Sequence, residues 1–217
     1  MTQKQWKRPS RNMKILITHM VNVGILRSQN VIKAFLDVDR ANFILPWHKE
    51  EAYEDHPLSI GHNQTISQPT TVAFMLELLG VEPGNAILDV GSGSGWTTAL
   101  LGRLVGKTGR VFGVERIPEL VAFGNKNIEK YNTWNNISIA QSGKKLGLEE
   151  RAPFDRILVS AAATKLPHLL VDQLKQGGVL VIPIGNAIHK ITKLFNEEVR
   201  DETYEGFTFV PLIVNES

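Results

Sequence analysis

At 217 residues and without cysteine, the chain is long enough to bury about 70% of its unfolded surface around one core, and it has no disulfide, thiolate metal site or cysteine nucleophile. Its 24 basic and 22 acidic residues leave a formal charge of +2, which argues against a strongly electrostatic nucleic-acid or membrane binder and against an acidic disordered chain. No run reaches the roughly 20 apolar residues of a membrane span and the N-terminus lacks an apolar stretch of signal-peptide length, so a cytoplasmic protein is expected.

The first fourteen residues carry Lys4, Lys7, Arg8, Arg11 and Lys14 with no acid among them; a solvated terminus leading into a helix is expected there rather than a nucleic-acid arm. Apolar residues at Val31, Ile32, Phe35, Leu36 and Val38 predict a helix within about Gln29 to Phe43. A polar connector, "LPWHKEEAYEDHPLSIGHNQTISQP", precedes a helix that begins at about Pro69 and stops near Gly80. From Asn85 onward short apolar runs alternate with helical patterns. The run "AILDV" is followed by a helix from Trp96 to Val105, "RVFGVE" by one from Pro118 to Tyr131, and "FDRILVSA" by one from Leu166 to Leu174. "ISIA" and "VLVIPIG" supply two more strands. Strands alternating with helices require crossover connections, hence a largely parallel, doubly wound α/β sheet. After Gly185 the runs "HKITKLFNEE" and "TYEGFTFVPLIV" have no helix between them and predict an antiparallel ending. One domain over 1–217 is expected, with N-terminal helices and a substrate and cofactor loop in 1–84, an α/β core in 85–185 and C-terminal antiparallel strands in 186–217.

In such sheets ligands bind beyond the carboxyl ends of the strands, and the loop after the first core strand is here "GSGSG", Gly91 to Gly95. The dinucleotide fingerprint needs a third glycine where this chain has Trp96, and the Lys-Ser or Lys-Thr of a phosphate loop is absent. The loop is not a nucleophile elbow either, since Gly93 stands where that motif places serine. What remains is G-x-G-x-G, preceded by Asp89 and followed, at the end of the next strand, by Glu115. A carboxylate at that tip can accept hydrogen bonds from both hydroxyls of a ribose, worth roughly 1.5–3 kcal/mol. Acidic groups near the loop disfavour a phosphate and favour a cofactor carrying an ammonium and a sulfonium. The arrangement resembles the S-adenosylmethionine site of class I methyltransferases, with a Rossmann-like methyltransferase sheet. The place after the fourth strand, "ILVSAAATKLP", lacks both the Asn/Asp-Pro-Pro-aromatic motif of base-amine methyltransferases and the acidic ligands of metal-dependent catechol-type enzymes. The histidines His19, His48, His56, His62, His168 and His189 fall in no ligand spacing, so no metal is expected.

The stretch "AYEDHPLSIGHNQTISQPTTVAFMLELL" makes the resemblance specific. It is similar to the signature of protein-L-isoaspartate (D-aspartate) O-methyltransferases, approximately A-Y-x-D-x-P-L-x-I-G-x-x-Q-T-I-S-x-P. The match continues through "ILDVGSGSGWTTALL", "GRVFGVER", "RAPFDRILVSAAA", "LVDQLKQGGVLVIPIG" and "FVPL", from about Leu26 to Leu212. The resemblance implies methyl esterification of the α-carboxylate of L-isoaspartyl residues in damaged proteins and peptides, with S-adenosylmethionine as donor, S-adenosylhomocysteine as product and a succinimide after collapse of the ester. It places Ser67 at the active-site serine, Thr65 and Ile66 beside the methyl donor, and Gly91, Glu115 and Arg116 at cofactor contacts. With Ser67, Asp89, Ser92, Gly93 and Gly95 these make up the expected cofactor-binding set. Isoaspartyl polypeptides are the expected partners, without nucleic acid or membrane, and the expected state is a monomer. Peptide backbone is expected near Ser59 to Gly61 and Val210 to Leu212.

Two departures from the family pattern stand out. Relatives carry Gly-Asp-Gly after the third strand, the acid contacting the adenine amine, whereas "SIAQSGKKLGL" puts Ser142, Gly143 or Lys144 there. Thr70 stands where many relatives have His or an aromatic residue. Two other classes are carried alongside: a same-fold enzyme acting on another carboxylate, and a cofactor-binding module without turnover.

Overall fold

The computed structural model describes residues 10–195 and 198–213. Lys4, Lys7 and Arg8 of the basic N-terminal run therefore lie outside the described residues.

Helix α1 (Arg11–Asn22) begins where the Ser10 hydroxyl oxygen accepts the Met13 amide at 3.1 Å, and it buries Met13, Leu16, Ile17 and Met20. Helix α2 (Gln29–Asp37) is shorter than the apolar spacing predicts. Val38 turns extended, and the Asp39 carboxylate accepts the Ala41 amide at 3.0 Å, starting a separate 3₁₀ turn over Arg40–Asn42. The polar connector hides a hairpin of β1 (Leu58–Gly61) and β2 (Gln64–Ile66). Its two central residues, His62 and Asn63, both have positive φ, 54° and 55°, which a two-residue hairpin turn demands. Helix α3 (Pro69–Leu79) has Pro at its first position, where a missing N–H costs nothing, and stops at left-handed Gly80.

The core then alternates as the sequence predicts. Strand β3 (Ala86–Val90) leads into α4 (Trp96–Val105), β4 (Arg110–Glu115) into α5 (Pro118–Ile128), and β5 (Ile137–Gln141) follows. On the other side come β6 (Phe154–Val159), the short α6 (His168–Asp172), β7 (Leu174–Ile184), β8 (Ala187–Lys193) and β9 (Val199–Glu205). The sheet order is β5-β4-β3-β6-β7-β8-β9, parallel from β5 to β7, with β8 and β9 antiparallel. Ile87, Leu88, Ile157, Leu180 and Ile182 are fully buried in its centre, each worth roughly 1.5–3 kcal/mol of apolar burial.

The last strand differs from its sequence expectation. β9 is the polar segment "VRDETYE", an edge strand with mostly exposed side chains. "FTFVPL" instead leaves the sheet: Phe207 stacks on Phe74 at 5.3 Å, and Pro211 forms an isolated parallel bridge with Ala162. Its apolar residues are used for packing across α3 and the strand ends, so apolar content misled about ladder position. No helix among the described residues is long and apolar enough to cross a membrane.

The chain winds from β3 outward to β5 and then returns to β6 on the opposite side of β3. The connections after β3 and β6 therefore leave in opposite directions, opening a crevice at the carboxyl ends of these strands.

Candidate active site

Two adjoining pockets occupy this crevice, and Gln64, Gly91, Glu115 and Ala161 belong to the walls of both. The larger extends over Arg116, Ile117 and the loop Ser142 to Gly147; the smaller is bounded by Thr65, Ile66, Ser67, Ser92, Gly93 and Trp96. Val210 lines the smaller and Pro211 to Ile213 the larger.

The loop takes this shape because its glycines adopt conformations other residues resist. Gly91 has φ +78° and Gly93 φ +49°, and a Cβ on Gly93 would stand 3.2 Å from the Ile60 Cδ1 of the hairpin. Gly95 serves packing instead. It has φ +86° at the N-cap of α4, and a Cβ there would meet Ile128 Cγ2 at 2.8 Å and the Gly124 carbonyl oxygen at 3.0 Å. The close approach that a dinucleotide site obtains from a later glycine is thus supplied by Gly95 against Gly124, leaving position 96 free for a large ring.

Glu115, the last residue of β4, is buried and ties the loop to the strand tip. Its Oε2 accepts the Gly93 amide at 3.1 Å and its Oε1 the Ile117 amide at 2.9 Å. Each carboxylate oxygen has a second lone-pair direction, so the group retains capacity for two ligand hydroxyls. Asp89 does not reach the cavity walls. It is 0% exposed below the loop, where one oxygen, Oδ2, accepts the Thr97 hydroxyl at 2.8 Å and the Thr98 hydroxyl at 2.6 Å. Burial pushes its pKa up to about 6, opposed by the two hydroxyl donors and assisted by the negative Glu115. Its other oxygen, Oδ1, and the Ser92 Oγ are buried without a hydrogen-bond partner among the described residues. Asp89 thus sits below the loop rather than in the cavity wall, and Gly95 packs against α5.

Thr65, Ile66 and Ser67 are brought to the wall by the hairpin and the turn after it. Ser67 does not cap α3. The Thr70 amide and hydroxyl are taken by Asp55, at 2.9 and 2.6 Å, and Gln68 Nε2 also donates to Asp55 at 3.1 Å. This is the physical role of Thr70, an aid to capping on the helix side. Of the stretch Ser59 to Gly61, only Ile60 lines the cavity.

The residues fit a cofactor with a ribose and a positively charged end. Glu115 stands beside Gly91 and Gly93, whose missing Cβ atoms leave the loop open, and the buried Ser92 Oγ in the same wall has no partner among the described residues. Sequence reasoning missed Trp96 and Ser160 in the wall and the buried Arg40 behind it. Nothing local signals these, because their burial depends on elements far apart in sequence. Glu51, Glu54 and His56, whose ligand atoms lie within 4.8 Å of one another, are the described residues that could group about a metal; they sit on the loop before β1 and line neither cavity.

Known proteins resemble the chain over most of its length. The family model described as protein-L-isoaspartate(D-aspartate) O-methyltransferase (PCMT) matches residues 11–217. A protein-L-isoaspartate O-methyltransferase of Thermococcus onnurineus is 47% identical over 195 residues, 88% of each chain. That of Methanopyrus kandleri is 41% identical over 207 residues, covering 93% of this chain and 91% of the relative. The crystal structure of the Plasmodium falciparum β-aspartate methyltransferase (PCMT), in complex with S-adenosyl-L-homocysteine, superposes with a TM-score of 0.83 at 32% identity, over 95% of this chain and all of that one. The strand order, the crevice at the switch point, the serine on its hairpin wall and these matches lead to one conclusion: the chain belongs to the protein-L-isoaspartate (D-aspartate) O-methyltransferase family.

Proposed function

We propose that the chain methylates the α-carboxylate of L-isoaspartyl residues in damaged proteins and peptides, with S-adenosylmethionine as donor. The observation that carries this reading is the meeting, in one crevice, of Glu115 with Gly91 and Gly93 on one wall and Ser67 on the other. When bound, S-adenosylmethionine supplies an electrophilic methyl on a sulfonium.

Glu115 would hold the ribose through its remaining lone pairs, Arg116 and Ser142 to Lys144 would line the adenine end, and Gly91 to Gly93 with Thr65 and Ile66 would enclose the donor end. An isoaspartyl α-carboxylate, with a pKa of about 3.5, is ionised at neutral pH, so no general base is needed. Ser67 takes the orienting role: its hydroxyl, with no partner of its own among the described hydrogen bonds, donates to one oxygen of the acceptor and leaves the other facing the donor. The hairpin and the Val210 to Leu212 segment, whose Leu212 amide donates to the Ala162 carbonyl at 2.7 Å, exclude water from both charges. The amide nitrogen of the isoaspartyl linkage then attacks the ester carbonyl, and loss of its proton and of the methoxy group as methanol leaves a succinimide without further help from the protein. The same proposal treats 1–217 as one domain and carries a cytoplasmic monomer with polypeptide partners rather than nucleic acid or membrane, supported by a net charge of only +2.

The test is transfer of labelled methyl to paired peptides that differ only in an aspartyl or isoaspartyl linkage, read as base-labile ester. Transfer to the isoaspartyl peptide alone is expected. Equal transfer to both would point to a less selective carboxylate enzyme, and S-adenosylhomocysteine binding without transfer would reduce the chain to a binding module. Ser67→Ala should keep S-adenosylhomocysteine affinity within about threefold and lower kcat about tenfold or more, the cost of losing one orienting hydrogen bond.

A further inference from the structure

We propose that Arg40 is a positioning residue for methyl transfer: a buried guanidinium that fixes Ser67 in the cavity wall. The inference rests on the orienting role of Ser67 given above.

Arg40 lies on the 3₁₀ turn that Asp39 starts and is 2% exposed. Its Nη1 donates to the carbonyls of Ala52 at 3.0 Å and Glu54 at 3.3 Å; its Nη2 donates to those of His56 at 2.9 Å and Ser67 at 3.1 Å. No carboxylate pairs with it among the described residues, and Asp55 contributes only through its field. A cation is thus buried against four backbone carbonyls and the Trp96 ring, with no carboxylate partner. Burial lowers its pKa to about 10, which leaves it charged at neutral pH.

Burying an unpaired charge is costly, and linking two backbone segments does not by itself require one. What distinguishes the guanidinium is its planar fork, which reaches four oxygens on two stretches of chain at once; an ammonium or an amide cannot span the same set. Three of those oxygens belong to the loop before β1 and the fourth is that of Ser67 itself. The guanidinium also lies over the Trp96 ring, 5.5 Å from its centroid, and Trp96 lines the same cavity as Ser67. On the following side, Asp55 binds Gln68 and Thr70. The Ser67 backbone is therefore held from both sides while its hydroxyl is left for the cavity. Arg40 is too deep to touch a ligand there, so its effect on turnover runs through Ser67.

The experiment is a double-mutant cycle on the full-length chain, using Arg40→Lys, Ser67→Ala and the double variant, with kcat and KM for an isoaspartyl peptide, S-adenosylhomocysteine Kd and Tm measured for each. Arg40→Lys should lower kcat between about tenfold and a hundredfold, the cost of a displaced reactive geometry, with Kd changed less than about threefold. In the Ser67→Ala background the same substitution should lower kcat no further. Equal losses in both backgrounds would overturn the proposal, and so would a lowered Tm with unchanged kcat, which would make Arg40 structural glue. The Ser67→Ala single variant reports on the orienting role by itself: if it is silent and Arg40→Lys is not, Arg40 acts by another route and the inference fails independently. Should Arg40→Lys not fold, Arg40→Gln replaces it in the cycle, since a buried neutral amide is cheaper than a buried unpaired ammonium.

Discussion

Glu115 and Gly93 are joined across the mouth of the crevice by a hydrogen bond from the Gly93 amide to the carboxylate Oε2, 3.1 Å long. The acid expected to read a ribose therefore also fixes the glycine loop, and the two tasks can be separated. Glu115→Gln keeps the shape but replaces one acceptor oxygen by a donor, so either Gly93 or Ile117 loses its partner and one ligand acceptor goes with it. Calorimetric titration with S-adenosylhomocysteine should show affinity weaker by about 2 kcal/mol, roughly thirtyfold, and Tm lower by a few degrees. Unchanged affinity would remove Glu115 from the cofactor contacts.

Asp89 predicts an unusual pH dependence of stability. Its pKa is raised by burial from 3.8 to about 6, so the folded chain holds a proton that the unfolded chain has released. The contribution is complete below about pH 4, is lost as pH rises through 6, and amounts to a penalty on the order of 3 kcal/mol above that. Asp89→Asn, which keeps partners for Thr97 and Thr98, should therefore raise Tm at pH 7.5 relative to the parent. The gap should shrink toward pH 5, as followed by thermal melts across that range. A constant gap would place the Asp89 pKa elsewhere.

Two glycines of one loop should respond differently to the same change. Gly95→Ala drives a Cβ into Ile128 and the Gly124 carbonyl at positive φ, whereas at Gly91 a Cβ would come no nearer than 4.0 Å to Ser160. Urea denaturation should show Gly95→Ala losing about 3 kcal/mol or more, strain and overpacking combined, and Gly91→Ala about 1–2 kcal/mol from strain alone.

The loop after β5 has no acid from Gln141 to Gly147, and Gly143 offers a place to introduce one. It does not have positive φ, and a Cβ there meets nothing within 4 Å. Gly143→Asp should fold normally and tighten S-adenosylhomocysteine binding by about 1–2 kcal/mol if the adenine edge lies along this wall. Weaker binding would show that the edge is read by Ser142 or by backbone in a manner the acid disrupts.

The sequence by itself determined the alternation of strands and helices from Ala86 to Ile184, the glycine loop, the acid at the tip of β4 and the motif that carries Ser67. Each of these is local: a run of apolar residues, a glycine spacing, a turn residue. Periodicity reads the strands and helices directly, motif spacing reads the glycine loop and its acid, and Ser67 follows from the resemblance to the family signature. The hairpin within the polar connector was hidden because His62 and Asn63, rather than Asn-Gly, adopt its turn. The last strand was misplaced because an edge strand needs no apolar face, while the apolar "FTFVPL" was used elsewhere. Tertiary structure alone decided that Asp89 sits below the loop instead of lining it, that Thr70 serves Asp55, and that Arg40 is buried. Arg40 reads as an ordinary surface cation until carbonyls 12, 14, 16 and 27 residues away converge on it, and only the folded chain can bring them together.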